Sequence, residues 1–123
     1  MEDLEALVGY LESKKCAKLS YPFGPEAMVF KVKGKLFAIV SKHQDSESES
    51  SIHINLKCDP DEAQALRDIF SAVKPGYHMN KKHWNTVCVP GDVPVGELTR
   101  MIDQSYALVV KGLKKSLREA LAH

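Results

Sequence analysis

The side chains best suited to chemistry are concentrated between Lys74 and Val89. This stretch, Lys-Pro-Gly-Tyr-His-Met-Asn-Lys-Lys-His-Trp-Asn-Thr-Val-Cys-Val, holds the only tryptophan, two of the five histidines and two adjacent lysines. No carboxylate interrupts it. A metal centre is one use for such residues. His78 and His83 lie five apart and Cys88 five further on, and His53 could approach from a neighbouring strand. No His-x-x-x-His, Cys-x-x-Cys or acidic cluster accompanies them, so neither a metal nor a cofactor is expected.

Nucleophilic catalysis needs an activated nucleophile with a base beside it. Cys88 could be paired with His78 or His83, but it alternates in phase with Trp84 and Thr86 along a strand-like run. A small buried thiol explains that position, as burial is ordinary for cysteine. No glycine-rich loop opens onto a helix, so phosphate-cradle readings fail too. A non-enzymatic protein is the expectation. Nucleic acid suits the stretch better. Lys81, Lys82, His78 and His83 bring phosphate-neutralising charge, interleaved with Tyr77 and Trp84, whose rings could stack on bases. Lys33 and Lys35, either side of Gly34, form a second basic projection. The competing reading makes Tyr77 and Trp84 core aromatics and the lysines solubilising groups on exposed edges.

The elements that must position these residues are marked by apolar spacing. Leu4, Leu7, Val8 and Leu11 predict a helix near 2–15. Two prolines in Tyr21-Pro22-Phe23-Gly24-Pro25 end it, and 16–26 reads as a loop with Phe23 as its apolar anchor. Segments 27–33 and 35–41 alternate as strands about a turn at Lys33-Gly34. That register pairs Val32 with Lys35, Phe30 with Phe37 and Met28 with Ile39. The Ser, Asp and Glu run at 45–51 reads as a mobile connector. A third strand follows at 52–57, with His53 toward solvent or the less buried sheet face. Asp59-Pro60-Asp61-Glu62 is a helix start with cap, first-turn proline and capping-box acid. It opens a helix near 60–71 with Ala63, Leu66, Ile69 and Phe70 inward. A strand at 84–89 and one long helix over 94–117 complete the chain, with a short extra strand at 75–79 as an option. The result is a two-layer α+β fold in the order α-β-β-β-α-β-α, an antiparallel sheet with helices on one face.

Bulk composition sets outer limits. A chain of 123 residues suits one domain over 1–123, burying roughly two-thirds of its unfolded surface. Hydrophobic content of 44% and charged content of 27% are ordinary for a soluble protein. A net charge of +1 confines any polyanion site to a local patch. No apolar run reaches membrane-spanning length, and Met1-Glu2-Asp3 lacks a signal-peptide form. Cys16, Cys58 and Cys88 are odd in number and widely spaced, which suits free thiols and a cytoplasmic location.

Pro75-Gly76-Tyr77-His78-Met79-Asn80-Lys81-Lys82-His83-Trp84-Asn85-Thr86-Val87 resembles the signature of the small bacterial MmcQ/YjbR proteins. Tyr21-Pro22-Phe23-Gly24, the Val29-Phe30-Lys31-Val32-x-Gly34-Lys35 hairpin and Ser105-Tyr106-x-Leu108-Val109 fit the same pattern. The resemblance implies a compact α/β domain with a frataxin-like or secretion-chaperone-like sheet, and a double-wing DNA-binding label. No catalytic residues come with it. The expected partner is DNA, bound weakly through Lys33, Lys35, Tyr77, His78, Lys81, Lys82, His83 and Trp84. The alternative is an adaptor or chaperone-like module that docks a protein on a sheet face or apolar helix stripe. Monomer and homodimer both remain open.

Overall fold

A computed structural model describes residues 4–44, 50–76 and 79–122. Of the connector expected at 45–51, residues 45–49 lie outside the described residues, as do two expected site residues, Tyr77 and His78, whereas Ser50 and Ser51 open a strand instead. Among the described residues, four helices and six strands follow in the order α1 (Leu4–Glu12), β1 (Ala17–Ser20), β2 (Ala27–Val32), β3 (Lys35–Gln44), β4 (Ser50–Lys57), α2 (Pro60–Ile69), β5 (Val73–Pro75), β6 (Trp84–Val89), α3 (Val95–Lys111) and α4 (Lys115–Ala122). All six strands join one antiparallel sheet, ordered β1-β2-β3-β4-β6-β5. The two-layer α+β architecture is as the apolar periods require. Among the described residues, no helix is long and apolar enough to cross a membrane.

The core lies between the helices and one sheet face. Phe30, Phe37, Ile54 and Leu56 from strands meet Leu7, Leu11 and Ile102 from helices, all fully or nearly fully buried. Each such side chain contributes about 1.5–3 kcal/mol by leaving water. α2 starts as its sequence dictates: the Asp59 carboxylate accepts from the Asp61 N–H at 3.2 Å, and Pro60 occupies the first turn.

Several boundaries depart from the sequence expectation. The segment expected as a loop at 16–26 contains β1, whose Ala17 and Leu19 are half-buried while Lys18 and Ser20 are exposed. Four residues with two inward apolar groups are too short a period to register against the preceding helix. The extra strand is Val73–Pro75; of the expected span 75–79, Tyr77 and His78 lie outside the described residues, while Gly76 and Met79 are not in a strand. Ile69 is 67% exposed, not inward, since α2 turns only Ala63 and Leu66 fully to the core. The long final helix breaks at Gly112, whose N–H reaches the carbonyls of Leu108 and Val109. Leu113 then tucks into the interior at 4% exposure and a separate α4 begins.

The hairpin register also differs. Val32 pairs with Lys35 as expected, but Phe30 faces Ala38 and Met28 faces Val40. The shift comes from an extra residue in β3, a bulge that leaves Phe37 and Ala38 both buried. Ser105 of α3 enters where β3 and β4 separate. Its Oγ donates to the Phe37 carbonyl at 2.6 Å and accepts from the Lys57 N–H at 2.9 Å. One buried hydroxyl thereby satisfies two backbone groups that the ladder leaves unpaired. Phe37 still meets Phe30, with ring centroids 6.3 Å apart, and Tyr106 packs edge-on against Phe37 at 5.3 Å.

Candidate nucleic-acid interface

Both basic projections emerge from the same end of the sheet. The ladder between β2 and β3 closes at Val32 and Lys35, and that between β4 and β6 closes at Lys57 and Trp84. β3 starts, β4 ends and β6 starts at this end, so the hairpin tip and the loop before Trp84 flank one region. Lys33 has φ 50° and Gly34 φ 82°, the paired positive values of a two-residue turn whose twist suits a hairpin. Lys33 and Lys35 are both exposed there. Asp59 follows β4 at this end, and its carboxylate is turned to the first turn of α2.

The loop before Trp84 is held by its own backbone and by α2. Gly76 donates to the Trp84 carbonyl at 2.9 Å. A Cβ at Gly76 would lie 2.8 Å from Trp84 Cβ and 2.9 Å from that carbonyl oxygen, so only glycine permits this approach. The Asn80 side chain accepts from the Lys82 N–H at 2.9 Å, and the Asn80 carbonyl accepts from His83 at 3.2 Å. The half-buried His83 uses its carbonyl to accept from Cys58 at 2.8 Å. Lys81 and Lys82 are both exposed, but they are not equivalent. The Lys81 ammonium turns back to the Gly76 carbonyl at 3.2 Å, which commits part of its hydrogen-bonding capacity to the loop.

Arg67 of α2 is the clamp that sequence reading missed. Its guanidinium donates to the carbonyls of Lys81 and Trp84 and, at 2.7 Å, to Asn85 Oδ1. Asn85 is only 1% exposed and donates in turn to the Ala63 carbonyl at 3.3 Å. Nothing in the sequence around an arginine in a helix signals such a contact across the domain.

Because Asn85 points toward the helices, its neighbours Trp84 and Thr86 point to the opposite face, which is helix-free among the described residues. Trp84 is half-buried there. Thr86 faces Asn55 in register and donates to its Oδ1. Cys88 faces His53 in register; His78 lies outside the described residues. Burial raises the Cys88 thiol, with Lys74 acting weakly in the other sense. A nucleophilic cysteine needs the opposite shift. Among the described residues, no group of three or more His, Cys, Asp or Glu side chains is placed to hold a metal ion.

A concavity of about 890 Å³ opens on this helix-free face. Val29, Leu36 and Ile39 supply its apolar floor, with Lys31 and Lys35 beside them. Pro22 and Phe23 bound it from the β1–β2 connection, and Met79 reaches it from the loop before Trp84. Phe23 is 77% exposed and Tyr21 51% exposed, so Phe23 is not the buried anchor that its setting between prolines suggested. The loop turns are made by backbone bonds instead, Gly24 N–H to Tyr21 and Ala27 N–H to Gly24.

Comparison with known proteins bears on the family and the fold. The YjbR family model matches residues 12–108. The chain is 33% identical to YjbR of Escherichia coli strain K12 over 118 residues, 96% of each chain. It is 43% identical to YbdF of Escherichia coli O157:H7 over 98 residues, 80% of this chain and 76% of that one. The crystal structure of Deinococcus radiodurans protein DR2400 superposes with a TM-score of 0.87 at 33% identity, covering 99% of this chain and 89% of that one. The signature block, the hairpin, the Phe23 loop and most of α3 fall inside the matched span, and the chain belongs to the YjbR family.

Proposed function

We propose that the protein is a low-affinity DNA-binding module, acting through phosphate contacts rather than catalysis. The observation that carries this reading is the convergence of two acid-free basic projections at one end of the sheet. Lys33 and Lys35 stand on the hairpin and Lys82 on the loop before Trp84, all exposed. Lysines so placed can meet phosphates on both sides of a backbone while leaving base identity unread. Lys81 contributes charge from a fixed position, tethered to Gly76. A near-neutral chain with such a patch binds weakly and with strong salt dependence.

The test is a fluorescence-anisotropy titration of a labelled DNA at several salt concentrations. Replacing Lys33, Lys35 and Lys82 together by Ala should weaken binding to all sequences. It should also flatten the log-log salt slope by about 0.9 for each phosphate that is no longer neutralised. Wild-type protein with no salt-sensitive association at low ionic strength would end this reading.

A second reading rests on the exposed Phe23 and the aliphatic floor beside it. These suit an adaptor that docks a protein segment on the sheet face. Such binding would persist at high salt.

A further inference from the structure

We infer that the concavity on the helix-free sheet face holds unpaired bases of a single-stranded nucleic acid, with Phe23 as the stacking surface and Lys31 and Lys35 receiving the phosphates. The inference rests on the DNA-binding reading above and narrows its ligand. Two aromatic side chains, Tyr21 and Phe23, are more than half exposed within three residues. A single exposed apolar group is normal, but Phe23 lies against an apolar concavity, and together they form a surface that water solvates poorly. Phe23 contributes little to the core at 77% exposure, so packing does not account for its place.

The floor and the rim ask for different chemistry. Leu36 and Ile39, both half-buried, present an aliphatic surface beside the buried Val29, which phosphates and duplex grooves do not fill. A duplex keeps its base faces stacked inside, whereas an unpaired base offers a flat face to an apolar floor and an aromatic ring. Lys31 and Lys35 stand at the same concavity, and the half-buried Ser41 adds a hydroxyl for a base edge. Among the described residues, no carboxylate lines it. Positive charge around an apolar, aromatic-edged floor matches the alternation of phosphate and base along a single strand. Lys18, opposite Lys31 in the ladder and exposed, extends the charge toward the sheet edge.

The full chain would be titrated with three probes at two salt concentrations. These are a dodecamer of deoxythymidylate, a DNA duplex of the same length, and a dodecapeptide of alternating Glu and Leu. The single strand should bind more tightly than the duplex. Phe23→Ala should lower single-strand affinity by about tenfold, within the range for loss of one stacked base, and Phe23→Trp should retain it. Exposure of Phe23 makes folding of both variants expected, and a thermal melt checks it. Salt-sensitive binding of the duplex without single-strand preference would overturn this inference while leaving the broader reading intact. Single-strand preference unaffected by Phe23→Ala would overturn the assignment of the concavity. Binding of neither nucleic acid would end both proposals. Phe23-dependent binding of the peptide in place of the single strand would reassign the groove to protein.

Discussion

Arg67 shows how one side chain can hold a site that its own surroundings do not announce. Its guanidinium joins α2 to the Lys81 and Trp84 carbonyls and to the buried Asn85 amide. Arg67→Ala leaves Asn85 Oδ1 without that donor in a site 1% exposed. The expected cost is about 1–3 kcal/mol, read as a lower urea midpoint, with a red shift of Trp84 emission as the loop loosens. The cysteines make a second prediction. Cys58 is buried and its thiol is pushed up to about 11, chiefly by burial and then by Glu62. Cys88 is raised in the same direction, and Cys16 is exposed. A thiol reagent at neutral pH should therefore modify Cys16 first, Cys88 slowly and Cys58 only on unfolding. Equal rates for Cys16 and Cys58 in the native protein would contradict the burial described. Positions such as Trp84 and Lys82 were legible from residue type alone. Lys81's tether was not, because a lysine's partner is chosen by where its stem happens to end.

Among the elements, Ser105 does what a ladder bond would otherwise do. It links β3 to β4 from a helix, and its environment is fully buried. Ser105→Ala should destabilise the domain by about 2 kcal/mol, since two backbone groups lose a partner. Amide exchange at Lys57 should accelerate more than at Ile54 in the middle of β4. If Lys57 keeps its protection, another group has taken the place of the hydroxyl. The strands and helices themselves were legible wherever an apolar period ran for six residues or more. The bulge at Phe37 was not, because alternation in Phe30, Val32, Phe37 and Ile39 is equally compatible with the unshifted register. The shifted Phe37 carbonyl is met by Ser105, which lies 68 residues away.

Among the described residues, Asp92, Glu97 and Asp103 are each held by defined hydrogen bonds. Asp92 accepts from the N–H groups of Ala72 and Ser71, each at 2.8 Å. Those bonds, that from Ala72 foremost, hold its carboxyl below the ordinary value of 3.8. Glu97 is held below 4.5 chiefly by its hydrogen bond with Arg100, which also bridges to Glu62 of α2 at 2.7 Å. For Asp103 burial acts upward, and the hydrogen bonds from Lys14 and Tyr10 outweigh it. Depressed folded values mean that the unfolded chain binds more protons. Their stabilisation is complete above the ordinary carboxylate values and is lost as pH falls through the lower folded ones. The urea midpoint should be nearly flat from pH 7 to about pH 5 and decline below that. Asp92→Asn should lower the plateau and make the acid decline shallower. A midpoint that instead rises on acidification would show these carboxylates unpaired. Residue order alone dictates the α+β class, the hairpin about Lys33-Gly34, the cap at Asp59 and the basic character of the loop before Trp84. Those depend on local periods, turn chemistry and charge, all of which are written in neighbouring residues. Folding in three dimensions was needed to bring the two basic projections to one end of the sheet, to leave Phe23 exposed beside an apolar concavity, and to set Arg67 and Ser105 against distant backbone. Each joins segments far apart in the chain, chosen by packing, which no local pattern encodes.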